Sequence, residues 1–192
     1  MMLNRIQNRF LGVQPKYLVL SLVFGSLFVV GVILLVFMPT ETTMASTGFT
    51  IFDFQLAWTK AKMDMILEAW MNILPTVLYQ TYLDYVFIGG YILLFTSFWL
   101  LVSRKIRERR MGRVAGSMIW FVGLAGIFDA IENLFSLQVL SSPLNYSDFL
   151  PIIISSFATL KFLALLVQIA ILVPSIITFI TVNLMSEKNP HT

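Results

Sequence analysis

The sequence predicts an all-α polytopic membrane protein, a four-transmembrane-helix bundle with one extracytoplasmic amphipathic helix. Three observations carry that expectation. The 192 residues are 58% hydrophobic and 12% charged, with a mean hydropathy of +0.84, whereas a soluble domain carries about 25% charged residues. Four apolar runs are each long enough to cross a hydrocarbon core of about 30 Å. The basic residues gather at the ends of these runs, as orientation signals do. At this length residues 1–192 form a single membrane domain, with no room for a second folded one.

The first run, about 17–38, holds no charge and as a helix reaches about 33 Å. Arg5, Arg9 and Lys16 precede it, a flank that suits an anchor or a cleaved leader. The run exceeds the roughly 7–15 apolar residues of a leader and no A-x-A site follows, so an uncleaved anchor is expected. The second run, about 80–103, meets Arg104, Lys105, Arg107, Arg109, Arg110 and Arg113, opposed only by Glu108. A basic loop between two spans marks the cytoplasmic side. The third and fourth runs are about 114–138 and 152–183. The apolar stretch after Pro151 is longer than a perpendicular crossing needs, which calls for tilt, a kink near Pro174 or an interfacial first turn.

Three basic residues precede the first span, six lie between the second and third, and Lys188 is in the tail, against Lys60 and Lys62 on the opposite side. N- and C-termini are therefore expected in the cytoplasm of a multi-pass protein. The formal charge of +3 reflects this orientation and not nucleic-acid binding.

Pro39 to about Val77 is too polar to span. Within it, about 56–76 is expected to form the amphipathic helix. Thr59 can cap it, Met63, Ile66, Leu67, Trp70, Ile73 and Leu74 share one face, and Lys60, Asp64, Glu68 and Asn72 follow at i+4 on the other. Flanked by Trp58 and Trp70, it would lie along the outer interface or pack over the bundle mouth as a cover or a lid.

Ionisable side chains at membrane depth are rare and expensive, and they locate the candidate site. Lys161 is the sole ionisable residue between Ser155 and Phe179, and Asp129, Glu132 and Asn133 interrupt the third run. Asp129 lies about 22 Å from the inner boundary and Lys161 about 15 Å below the outer one, so the two can meet. Asp84 opens the uncharged part of the second span at a similar depth, with Gln80 and Tyr91 on its face. Ala125, Asp129, Glu132, Asn133 and Ser136 form one stripe, and Ser155, Ala158, Lys161, Ala164 and Gln168 another. Both stripes should face the bundle interior. Asp84, Asp129, Glu132, Asn133 and Lys161 are thus the candidate ligand-binding or proton-relay residues, with Gln80, Tyr91, Ser136 and Gln168 secondary. Gly25, Gly31, Gly123 and Gly126 are expected only at close helix contacts.

Three carboxyls against one ammonium leave a surplus of negative charge that a low-dielectric site resists. Protonation, water, a cation or a cationic ligand would relieve it. The leading expectation is a site that binds or acts on a lipid or small amphiphilic ligand. One alternative is a proton- or cation-coupled transporter, and another is an accessory or scaffold subunit with a purely structural ion-pair cluster. A homo-oligomer or a partner membrane protein stays open alongside membrane lipids as partners.

The absence of cysteine excludes disulfides and thiolate chemistry, and His191 sits alone in the tail. No G-x-S-x-G, H-E-x-x-H, Walker loop or dinucleotide fingerprint occurs. No cofactor or metal is expected, a Schiff-base lysine is poorly suited to so small a bundle, and only carboxylate acid–base chemistry stays open as an enzymatic reading.

Three stretches, Ala57-Trp58-Thr59 through Ala69-Trp70, Leu83-Asp84-Tyr85-Val86-Phe87-Ile88 through Tyr91, and Phe128-Asp129-Ala130-Ile131-Glu132-Asn133-Leu134, resemble a family of small uncharacterised bacterial integral membrane proteins. The resemblance covers about residues 50–170 and implies a four-helix protein in the bacterial inner membrane, with no activity to carry over.

Overall fold

The computed structural model describes the backbone of residues 12–106 and 110–188 and the side chains of the same residues up to Val182. Arg5, Arg9, Arg107, Glu108, Arg109 and His191 lie outside the described residues, and so does the side chain of Lys188. Four helices of 31 to 33 residues are long and apolar enough to cross a membrane. No strand occurs among the described residues, and the fold is the expected all-α four-helix membrane bundle.

Helix α1 (Pro15–Val32) starts with Pro15 in its first turn, where a missing N–H is harmless. The sequence suggests an end at Met38, but the helix runs on. A π-helical turn at Ile33–Phe37 lets the Met38 N–H bond Ile33 O, five residues back. Pro39 then falls in the first turn of α2 (Met38–Ala45), so its ring and absent donor break nothing. Thr40, Thr42 and Thr43 donate their hydroxyls to carbonyls four residues back at 2.9, 2.8 and 3.0 Å, which keeps this polar end helical.

A short helix, α3 (Ile51–Gln55), opens with a capping box: Thr50 Oγ1 accepts from the Asp53 N–H, and Asp53 Oδ2 accepts from the Thr50 N–H at 2.8 Å. Glu41 Oε2, from α2, accepts from the Ile51 N–H at 3.3 Å. Trp58, at φ 58°, turns the chain into α4 (Lys60–Trp70), whose first turn Thr59 caps as expected. Met63, Ile66, Leu67 and Trp70 of α4 are buried, with Leu74 just beyond it. The expected amphipathic segment ends early, because Pro75 already lies in the first turn of α5 (Leu74–Lys105), a helix beginning well before residue 80.

Helices α6 (Arg110–Ser141) and α7 (Leu150–Lys188) complete the bundle, and α7 continues through Pro174. Both α5 and α7 pack on α6 and barely on one another, while α1 packs chiefly on α5. Gly25 lets α1 approach α5, since a Cβ there would sit 3.1 Å from Leu94 Cβ, and a side chain at Gly126 would run into Ile92. Gly31 and Gly123 face open space and are not close contacts, contrary to the expectation from sequence.

Two apolar cores sit at opposite ends. One joins α4 to the near ends of α5, α6 and α7 through Trp70, Val77, Leu140 and Ile154. The other joins the far ends through Trp99, Val102, Ala115 and Val122. The polar stripes of the sequence lie between them.

Candidate ligand site between the helices

Rise along each helix sets the level of the site. From the α4 end, Asp84 lies about 15 Å into α5, Asp129 about 18 Å into α6 and Lys161 about 16 Å into α7. Three helices thus deliver charge to one plane. Lys161 Nζ donates to Asp129 Oδ1 at 2.9 Å and to Glu132 Oε2 at 2.5 Å. These side chains are 7%, 7% and 1% exposed. Glu132 follows Asp129 by three positions, which puts both carboxylates within reach of one ammonium.

Other polar bonds tie α5 to the same plane. The Tyr91 hydroxyl donates to Asp129 Oδ2 at 3.1 Å, and Asn133 Nδ2 donates to Asp84 Oδ2 at 2.7 Å. Two turns deeper, Trp99 Nε1 donates to Gln168 Oε1 at 3.3 Å, joining α5 to α7. Asp129 therefore accepts from two donors, and the ammonium of Lys161 bridges two carboxylates. Asp84 has an amide partner and no cationic one within ion-pair distance among the described residues. Three carboxyls and one ammonium share the site.

Because α5 and α7 scarcely meet, a cavity of about 490 Å³ opens between them over the polar stripe of α6, within the roughly 300–1,000 Å³ usual for ligand sites. Every candidate residue read from sequence lines it: Gln80, Asp84 and Tyr91 from α5, Asp129, Glu132, Asn133 and Ser136 from α6, and Lys161 and Gln168 from α7. The cavity has two poles. Gln80, Asp84, Asp129 and Glu132 cluster toward α3, whereas Phe95, Leu165, Ile169 and Leu172 line the part farther along α5 and α7. Its walls at Phe52 and Ile169 are 56% and 63% exposed.

Two polar atoms at the polar pole are idle. Gln80 and Ser136 are 8% and 3% exposed, and neither Gln80 Oε1 nor Ser136 Oγ has a hydrogen-bond partner among the described residues. Buried polar atoms left in this way are uncommon and need a cause.

The expectation that α4 forms the cover is corrected in one respect. No residue of α4 lines the cavity; Ile51, Phe52, Phe54 and Gln55 around α3 do. The apolar face of α4 is spent on the end core, where Phe54 stacks on Trp70 at 5.5 Å. Sequence reasoning also missed Thr81, Trp99 and the wall from α1, Val29, Ile33 and Phe37. The i+4 series Tyr91, Phe95, Trp99 was a usable signal. Thr81, which spends its hydroxyl on Val77 O at 2.9 Å, and Gln55, in a five-residue helix, offered none. Compared with known proteins, the chain matches no family model, no curated protein and no solved structure, which leaves the side chains themselves to indicate the chemistry.

Proposed function

We propose that this chain binds one amphiphilic molecule, a lipid or lipid-like ligand, in the cavity between α5 and α7, with the headgroup at the charged plane and the tail along Phe95, Leu165 and Leu172. The observation that carries this reading is the uneven cavity lining: every ionisable carboxyl and ammonium lies toward one end, and the other end is apolar apart from the mutually bonded Trp99 and Gln168. A ligand of one polarity would leave half of such a lining mismatched. Phe52 and Ile169, on the cavity wall and exposed, support sideways entry from the bilayer. A purely structural ion-pair cluster accounts for Lys161, Asp129 and Glu132, but for neither the cavity nor the idle polar atoms.

In the cell we place both termini in the cytoplasm, on the basic residues Arg104, Lys105, Arg110 and Arg113 at one end of α5 and α6. The charged plane then lies in the outer half of the bilayer, under α3. The family resemblance supports a bacterial inner membrane.

The test is photolabelling with a long-chain alcohol bearing a terminal diazirine, on the chain in phosphatidylcholine nanodiscs. Labels should concentrate on Phe95, Leu165 and Leu172, and filling the cavity with Leu165→Trp should remove them. Equal labelling of the lipid-facing residues Phe24, Leu27 and Leu35, unaffected by Leu165→Trp, would overturn the proposal.

A further inference from the structure

The polar pole of the cavity specifies more than an amphiphile. Gln80 lines the cavity, and its Oε1, a carbonyl oxygen that can only accept, has no partner among the described residues; it is covered as the side chain stands and comes within reach of an occupant by a turn of the amide. Ser136 Oγ, equally idle, is on the facing helix. The Ser136 hydroxyl can donate as well as accept, so it is the Gln80 oxygen that calls for an N–H or O–H donor. Water or a hydroxyl could supply one, and charge separates these from a stronger candidate.

Three carboxyls face a single ammonium whose contacts, at 2.9 and 2.5 Å, are to Asp129 and Glu132. Asp84 lines the same pole without a cationic partner among the described residues. In a site where charges are poorly screened, the remaining carboxylate attracts a cation and repels an anion. No three acidic side chains among the described residues converge closely enough to hold a metal ion, so the geometry does not suit an inorganic cation bound by carboxylates alone. Aromatic rings of Phe87 and Tyr91, 5.6 Å apart, stand around the pole, a lining that suits an organic cation, while the Phe162 ring is already faced by Lys161 Nζ at 4.9 Å.

Resting on the amphiphile reading above, we propose that the ligand's headgroup is a primary ammonium: a single-chain cationic amphiphile whose N–H groups reach Asp84 and, with a turn of the amide, Gln80 Oε1. A phosphate beside the amine is disfavoured, because Lys161 is already engaged by two carboxylates. A quaternary ammonium carries the charge but no donor, and leaves the Gln80 oxygen idle.

The experiment is competition against the diazirine-alcohol label at Leu165, in the full chain in phosphatidylcholine nanodiscs. Four twelve-carbon competitors are used below their micellar concentrations: dodecylammonium, dodecyltrimethylammonium, dodecanol and dodecyl sulfate. Dodecylammonium should displace the label at a concentration at least about tenfold below dodecanol, the quaternary compound should fall between them, and dodecyl sulfate should be weakest. Asp84→Asn, nearly isosteric, should bring the two cations to the level of dodecanol. Gln80→Leu should reduce only the advantage of the primary over the quaternary amine.

Equal displacement by all four would overturn the headgroup proposal and leave the amphiphile reading standing. Dodecyl sulfate as best competitor, or no effect of Asp84→Asn, would also overturn it. A quaternary compound equal to the primary one would remove the hydrogen-bonding half. Absence of both specific labelling and displacement would remove the amphiphile reading itself, and this inference with it.

Discussion

The backbone N–H of Trp58 donates to Oγ of Ser155 at 2.9 Å, pinning the turn between α3 and α4 to α7 less than two turns above Lys161. Trp58 holds φ 58° there, a left-handed conformation that a bulky residue adopts only at a cost of about 1–2 kcal/mol. The bond therefore holds a strained turn in place. It also sets where α3 lies over the cavity.

Ser155→Ala should destabilise the protein by about 0.5–1.5 kcal/mol, because it removes the partner of the Trp58 N–H in a part-buried bond. Loosening should be local. Amide hydrogen exchange across residues 50–59 should accelerate more than exchange in α6, and equal acceleration in both would show that the bond does not govern α3.

The capping box of α3 makes the cover over the cavity sensitive to acid. The Thr50 N–H, and then its hydroxyl, hold the Asp53 carboxyl below its ordinary value of 3.8. A carboxyl lowered by folding stabilises the folded form at pH values above that ordinary value, and this stabilisation is lost as pH falls through the depressed folded value. Protection of the 51–55 amides should therefore weaken between about pH 4 and pH 2. Asp53→Asn should remove that acid-dependent step.

Lys161→Met should cost about 3–5 kcal/mol, since it strands two buried carboxylates without their counter-ion. Combining it with Asp129→Asn and Glu132→Gln should restore most of the loss. Thermal unfolding in detergent provides the measurement. A triple variant no more stable than Lys161→Met would mean that the stranded carboxylates were not the source of the loss.

At the opposite pH extreme, Tyr146 ties the loop between α6 and α7 to α4. Its hydroxyl donates to Asp64 Oδ1 at 2.5 Å, and Lys60 Nζ sits 3.9 Å from the ring centre. Burial, and then the bond to Asp64, push the phenol above its ordinary 10.0. A raised value means stabilisation present below about pH 10 and lost as pH climbs past it. The melting temperature should fall less between pH 9 and pH 11 in Tyr146→Phe than in the parent chain.

Much of this arrangement was legible from spacing. A charge in an apolar helix has few acceptable directions, so Asp129, Glu132 and Lys161 pointed inward and found one another. Ser136 followed from its position on the α6 stripe, and Gln80 from the face of α5 it shares with Asp84. The cavity was not legible, because its existence depends on α5 and α7 failing to meet, a tertiary outcome that neither helix encodes alone. Nor was the continuation through Pro39, since a proline marks a helix end unless the preceding turn widens. The cover was assigned to α4 because amphipathic pattern is visible over eleven residues and not over the five of α3.

Residues four apart in an α-helix lead one another by about 40°, so Val29, Ile33 and Phe37 would splay over about 80° if α1 were regular. The wide turn at Ile33–Phe37 winds more slowly and takes back most of that drift, which aligns all three on one wall. Its consequence is a fixed screw phase. Straightening the winding at constant length would swing Phe37 by about 80° toward the acyl chains and breach the chamber from the side, whereas deleting a single residue there would put Phe37 seven places after Val29, about 20° short of two full turns, and keep the wall.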